Sequence, residues 1–316
     1  MTVRSRNISG WFVLGVWLAI ALAAAACGSN SASGDDGRIR VVTTIAQIAD
    51  PIAAIGGDRV HVESLMGPGV DPHVYNATQG DIRKLERADV IFYNGLHLEA
   101  NMLEVFAQIG KNRPVLAIGE VIADRKLLKD ETGATDPHIW FDIDLWKEAL
   151  AAAAEQLKKL SPEDADYFEK NKTDYFSKLD QLKKEATAKM AQIPKEKRIL
   201  VTAHDAFGYF GRMLDIKVVG LQGLSTEDEI GLSDIDRTVN LLVESKVPAV
   251  FVESSINPDS IKAVIEGAKK RGLNVQLGGE LFSDAMGKAG TEEGTYLGMY
   301  RHNVETIYNA LSGKAD

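Results

Sequence analysis

Three histidines of this 316-residue chain stand at boundaries, two where a turn-rich stretch gives way to an aromatic-containing segment and one where a strand ends. His73 and His138 each follow the same Asp-Pro step, in GPGVDPHVYN and GATDPHIWFD, 65 residues apart. The proline stiffens the backbone in front of each imidazole and removes a competing donor. His204 closes the apolar run ILVTA and opens HDAFGYF, and Asp284 lies in GGELFSDAMG, just after NVQLGG. In open α/β sheets, ligands bind at the carboxyl ends of the strands. Three imidazole nitrogens with one or two carboxylate oxygens suit a first-row divalent ion such as Zn²⁺, Mn²⁺ or Fe²⁺, whereas Ca²⁺ would demand more oxygens. Separations of 65, 66 and 80 residues are not a motif by themselves. The other histidines fit plainer roles. His61 alternates within VHVES, His302 sits in a C-terminal helix, and His97 follows the strand ADVIFYNG as a loop or supporting residue.

The elements that must carry these residues alternate from Arg38 onward. RIRVVTTI, VHVESLM, ADVIFYNG and PVLAIG read as strands, and QIADPIAAIGG, TQGDIRKLERA and LEANMLEVFAQIG between them as helices. Such alternation predicts an α/β unit with a mostly parallel sheet. A helical stretch follows Trp140. Ser161-Pro162-Glu163-Asp164 then gives an N-cap, a first-turn proline and early acidic residues, a strong helix start. No Gly or Pro interrupts the next stretch until Pro194, and Tyr167, Phe168, Tyr175, Phe176, Leu179, Leu182, Ala186 and Met190 recur at helical spacing. About 30 residues at 1.5 Å each make a rod of about 45 Å with one buried face. The rhythm then resumes with RILVTA, IKVVGL, AVFVES and NVQLGG as strands and a last helix over 301–311. VTTIAQIAD…GDRVHVESLMG and VTAHDAFGYF…LDIKVVGLQG share strand, helix, strand and closing Gly, a faint internal duplication. The reading is two similar α/β lobes, each with its own core, joined by one long helix. Residues 38–160 form the first lobe, 161–194 the linking helix and 195–316 the second lobe.

Residues 1–26 read as a signal peptide. Arg4 and Arg6 precede the uncharged run from Trp11 to Ala26, and 16 residues are short for a membrane span. AAAC resembles a bacterial lipobox, at which the cysteine is lipidated and becomes the first residue of the mature protein. Leu22 lies five positions before Cys27 where the usual pattern has three, and the plainer alternative is a secretory peptide with an incidental cysteine. Cys27 is the only cysteine, so no intramolecular disulfide can form. Polar, Gly/Ser-rich residues 27–37 suit a flexible tether. Without the leader the formal charge falls from −9 to −11. That argues against nucleic acid or an anionic membrane surface as partner and is compatible with a cation.

GPGVDPHVYNATQGDIRKLERADVIFYNGLHLE, DPHIWFDIDLW, VTAHDAFGYFGR, VVGLQGLSTEDE, AVFVESSI and GGELFSDAMGKAGTEEGTYLGMYRHN closely resemble the zinc/manganese solute-binding lipoproteins of bacterial ABC importers, the TroA-like members in particular. The likeness spans the chain from about residue 38. It implies His73, His138, His204 and Asp284 as metal ligands, two lobes with one ion between them, and a rigid bridging helix. It also implies a monomeric receptor held to the outer face of the membrane through Cys27, delivering its ion to separate permease and ATPase subunits. No GxxxxGK[ST] loop is present for ATP hydrolysis by the chain itself. Asp71 and Asp136 are candidates to orient the two DPH histidines, since a ligating imidazole usually donates its other N–H to a carboxylate, carbonyl or water. A residue two positions away also often serves its own loop instead.

Zinc-dedicated members often carry a His-rich acidic loop, and the corresponding IADRKLLKDETGAT has no histidine. Many also have a C-lobe disulfide, which a single cysteine cannot make. Both absences favour Mn(II) as the cargo. His204 stands where some manganese receptors have Glu, which favours Zn(II). A metallohydrolase is the competing class, because three His and a carboxylate can hold a catalytic Zn²⁺ with bound water. The chain has no HExxH and no evident general base near the four residues, so the expectation is a protein that is not an enzyme. A second role as a surface adhesin is a third reading.

Overall fold

The computed structural model describes residues 1–2 and 37–313. The leader expected at 1–26 and Cys27 therefore lie outside the described residues, apart from Met1 and Thr2, as does nearly all of the expected tether. From Ile39 the chain builds a four-stranded parallel sheet in the order β2-β1-β3-β4, from β1 (Ile39–Thr43), β2 (Val60–Ser64), β3 (Val90–Tyr93) and β4 (Val115–Ala117). The central strands IRVVT and VIFY are rich in β-branched and aromatic residues because a parallel sheet is covered on both faces. Helix α1 (Ala46–Gly56) buries Ile48, Ile52 and Ile55 along one stripe and ends where Gly57 takes φ 54°. Helix α2 (Gln79–Arg87) starts at a capping box between Thr78 and Asp81. A short helix α3 (Leu103–Ile109) and the longer α4 (Ile143–Leu160) complete the N-terminal lobe. Asp142 caps α4 by accepting from the N–H groups of Asp144 and Leu145.

The expected rod is α5 (Ala165–Met190), 26 residues or about 39 Å. Pro162–Asp164 form one tighter 3₁₀ turn ahead of it, so the helix proper begins three residues later than its start signal. Phe168, Tyr175, Leu179, Leu182, Ala186 and Met190 are its buried stripe, as their spacing predicts.

The C-terminal lobe holds two parallel pairs, β5 (Ile199–His204) with β6 (Lys217–Gln222) and β7 (Ala249–Glu253) with β8 (Gln276–Leu281). β5 packs beside β7, so the four run β6, β5, β7, β8, the same permutation as in the first lobe. This shared order strengthens the duplication seen faintly in the sequence. Helices α6 (Gly208–Leu214), α7 (Leu232–Ser245), α8 (Asp259–Lys270) and α9 (Tyr296–Ser312) surround them. The last helix begins five residues before the sequence suggested. Thr295 caps it by accepting from the N–H of Gly298, a glycine that reads as loop in sequence but packs inside the first turn.

The lobes do not have wholly separate cores. One apolar cluster runs from Val41 through α4 and α5 into the C-terminal lobe at Phe207, Phe210 and Tyr300. A smaller cluster, including Val201, Val250 and Val264, belongs to the second lobe alone. The crossing is aromatic: Phe141 stacks on Phe207 with ring centroids 4.7 Å apart and meets Phe210 edge-on at 5.9 Å. Tyr296 and Tyr300 donate through their hydroxyls to the carbonyls of Trp140 and Phe141. Among the described residues, no helix is long and apolar enough to cross a membrane.

Candidate metal centre

The four predicted residues lie on the connections that leave the carboxyl ends of strands. His204 is the last residue of β5 and Asp284 lies three residues past β8, whereas His73 and His138 sit deeper in the connections after β2 and β4. Parallel strands point these ends toward one another, and the side chains converge. His73 Nε2 lies 3.3 Å from His138 Nε2 and 3.7 Å from Asp284 Oδ2. His138 Nε2 is 3.4 Å from Asp284 Oδ1, and His204 Nε2 is 3.1 Å from Asp284 Oδ2. One ligating atom from each of the four falls within 4.8 Å of the others. A tetrahedral ion bound at about 2.0–2.1 Å requires neighbouring ligands about 3.3 Å apart. The spacing fits such an ion. His61, His97 and His302 are not part of the cluster; His302 instead donates to the carbonyl of Glu280 and packs on Phe282.

The site is almost sealed. His73 is 4 % exposed, Asp284 2 %, and His138 and His204 are fully covered. Neither oxygen of Asp284 accepts a hydrogen bond of acceptable geometry. A buried carboxylate without a donor is costly unless a cation compensates it.

Carboxylates behind two of the rings fix their orientation. His138 Nδ1 donates to Asp136 Oδ1 at 2.8 Å, and the same oxygen receives the His138 backbone N–H at 2.9 Å. A side chain at Gly208 would crowd the Asp136 carboxylate, since a Cβ there would lie 2.8 Å from Oδ2. Asp71 behaves differently. Its Oδ1 accepts the backbone N–H of His73, while Oδ2 accepts from Thr226 Oγ1 at 2.6 Å in the other lobe, and no contact reaches the His73 ring. Of the two candidate orienting carboxylates, Asp136 holds an imidazole and Asp71 serves the backbone and a cross-lobe contact.

Glu253 fills a role that sequence reasoning missed. It ends β7, is buried, and accepts the His204 backbone N–H on Oε1. Its Oε2 lies 2.7 Å from His204 Nδ1, an off-axis approach close enough for charge pairing. The signal was legible in AVFVES, where a carboxylate closes a strand otherwise apolar. Gln47 and Tyr209 were also missed. Gln47 Nε2 donates to the Ser283 carbonyl beside Asp284, and Tyr209 Oη donates to the Asp136 carbonyl.

These contacts set the protonation of the four residues before a cation arrives. Burial lowers the His138 pKa, but the hydrogen bond to Asp136 and the facing charge of Asp284 overcome it and raise it to about 9. Burial likewise opposes charge on His204, and Glu253 and Asp284 lift it well above the usual range. Burial would raise Asp284, yet the facing imidazoles, His204 first, hold it well below the ordinary carboxylate range. His73 has no carboxylate behind it. Burial pushes it down to about 3 against the pull of Asp284, with the neighbouring imidazoles adding to the depression. An arriving cation thus meets one neutral imidazole, a carboxylate and two imidazoles that must lose protons.

The model of the zinc-uptake complex component A periplasmic family, ZnuA, matches residues 41–310. The manganese-binding lipoprotein MntA of Bacillus subtilis (strain 168) is 50% identical over 287 residues, covering 90% of this chain and 94% of that protein. The zinc-binding protein TroA of Treponema pallidum (strain Nichols) is 47% identical over 287 residues, covering 91% of this chain and 93% of that protein. The solved structure of the periplasmic zinc binding protein TroA from Treponema pallidum superimposes with a TM-score of 0.86, covering 87% of this chain and all of that one. With matching sequence, matching fold and three imidazoles converging on a carboxylate, the chain belongs to this family of TroA-like metal-binding receptors.

Proposed function

We propose that this chain is the extracytoplasmic receptor of an ABC importer, capturing Mn(II) and delivering it to a membrane permease powered by a separate ATPase. The observation that carries the reading is the convergence of His73, His138, His204 and Asp284 in a nearly sealed space sized for one bare ion. These four are the ligands in this reading. Asp136 and Glu253 are engaged behind ligand rings, so neither is free to act as a general base, which favours capture over hydrolysis. The protein is anchored through a lipid on Cys27, with residues 1–26 removed as signal peptide and 27–37 as tether. It works as a monomer built of lobes 38–160 and 195–316 around the linking segment 161–194.

Manganese is preferred because the segment after β4 lacks the histidines of zinc-dedicated receptors, and MntA shares 50% identity. Zinc is the second reading. It rests on three nitrogen donors, which suit Zn²⁺, and on the 47% identity with TroA. In N/O sites Zn²⁺ lies above Mn²⁺ in the Irving–Williams order, so affinity alone cannot name the cargo. The deciding experiment is growth of a strain lacking this gene in chelated medium. Recovery with added manganese and not zinc is expected, and recovery with zinc alone overturns the manganese assignment. Purified protein that takes up no divalent ion would overturn the receptor reading itself.

A further inference from the structure

The four ligands are not tied into the molecule equally. His138 is held from behind by Asp136, whose carbonyl accepts from Tyr209 of the opposite lobe, and Tyr209 Oη in turn accepts the N–H of Leu128. Arg212 reaches across the same side to Asp142 and to the carbonyl of Lys126. Asp284 is braced through Gln47 of α1, and His204 through Glu253. The aromatic crossing at Phe141, Phe207 and Tyr300 lies on this side as well. These ligands belong to one densely packed body.

His73 is held less closely. Its loop rests on the core through Val70 and Tyr75, but Gly67, Pro68, Gly69 and Val74 beside it are exposed. Exposed backbone is one mark of a segment that opens locally. Its links to the C-terminal lobe are sparse: Thr226 Oγ1 donating to Asp71 Oδ2 at 2.6 Å, and Asn101, which reaches both the His73 carbonyl and Glu227 at 3.3 and 3.4 Å. The partner loop is preformed, because the Gln222 amide donates to the carbonyls of Thr226 and Asp228. Asp71 is therefore a two-sided connector. One oxygen holds the backbone of His73, and the other is caught by the far lobe.

We propose that the Asp71–Thr226 hydrogen bond is a catch that retains His73 over the ion, making His73 the first ligand to leave when the site opens and the last to arrive when it closes. The proposal rests on the metal-receptor reading. Thr226 touches no ligand and acts as a positioning residue through Asp71. With the catch closed the four ligand residues are covered; when it releases, the His73 loop lifts and the remaining ligands stay in place.

The test is the rate at which full-length protein loaded with Zn(II) gives up its ion to excess chelator in stopped flow. Thr226→Val removes the hydroxyl at nearly constant shape, and Thr226→Ser restores it; Thr226→Ala serves as a second deletion should the valine fail to fold. The deletions are expected to accelerate release by on the order of tenfold, the lower end of what one hydrogen bond to a charged group supplies. Thr226→Ser should release within about twofold of wild type, and metal-free melting should be unchanged across the series. Release unaltered in the deletion variants overturns the catch. So does equally fast release by Thr226→Ser, or acceleration matched by a lowered metal-free melting temperature. Wild-type protein that holds no Zn(II) at all would instead defeat the receptor reading.

Discussion

Glu253 touches His204 twice, accepting its backbone N–H on Oε1 at 2.9 Å and facing its Nδ1 with Oε2 at 2.7 Å. A carboxylate in this position fixes which nitrogen faces the cluster and makes that nitrogen a stronger donor to a metal. Removing such a partner commonly costs 10–100-fold in metal affinity. Glu253→Gln should therefore weaken Mn(II) and Zn(II) binding by about that factor in competition with an indicator dye. A change under about threefold would show that His204 does not depend on Glu253.

The ligand set predicts a clean partition of the histidines. An ion bound only by the native state and present at 100 times its Kd adds about 2.7 kcal/mol. His73→Ala, His138→Ala, His204→Ala and Asp284→Ala should each lose most of the corresponding thermal shift, whereas His61→Ala and His302→Ala should keep it. Any of the four that retains the full shift is not a ligand.

The empty and loaded proteins should respond to pH in opposite directions. The folded-state pKa of His138 is raised to about 9, above the ordinary value near 6.5. Its protonated form therefore contributes stability that is complete below about pH 6.5 and is lost as pH rises through 9. A metal displaces that proton, so metal affinity should rise over the same window. Melting temperatures of metal-free protein should fall from pH 6.5 to 9 while the metal-induced increment grows. Calorimetry in buffers of different ionisation enthalpy should register proton release on binding at pH 7. An increment that does not change with pH would refute this account of the site.

Cys27 follows the uncharged run from Trp11 to Ala26 and is the only cysteine of the chain. Cys27→Ser should move the protein from the membrane fraction to the soluble fraction. A variant that still fractionates with membranes at wild-type size would remove the lipid anchor from the proposal.

The fold was largely readable because its signals are local. The α5 stripe from Phe168 to Met190 repeats at helical spacing without a breaker, and IRVVT and VIFY are short runs rich in β-branched and aromatic residues. The four side chains that converge were all visible in the sequence, His204 at the end of a strand run and His73 and His138 each behind an Asp-Pro step. What supports them was harder to see. Glu253 and His204 are 49 residues apart, Tyr209 and Asp136 are 73 apart, and Gln47 and Ser283 are 236 apart. No periodicity links such pairs, and they become partners only once parallel strands bring their ends together. Asp71 and Asp136 occupy identical tripeptides yet face different ways, because Asp136 meets its own histidine ring and Asp71 meets a threonine from the far lobe.

The aromatic seam of Phe141, Phe207, Phe210 and Tyr300 also bears on how the molecule is inherited as a unit. Its two halves repeat one strand order, as though a single ancestral module had been copied. Yet each copy now presents to the other an oily surface that water would penalise if exposed. The copies have become mutually dependent, so neither could be lost, swapped or expressed alone without uncovering that surface. What reads as a repetition along the chain is, in the folded molecule, not divisible into two free-standing halves.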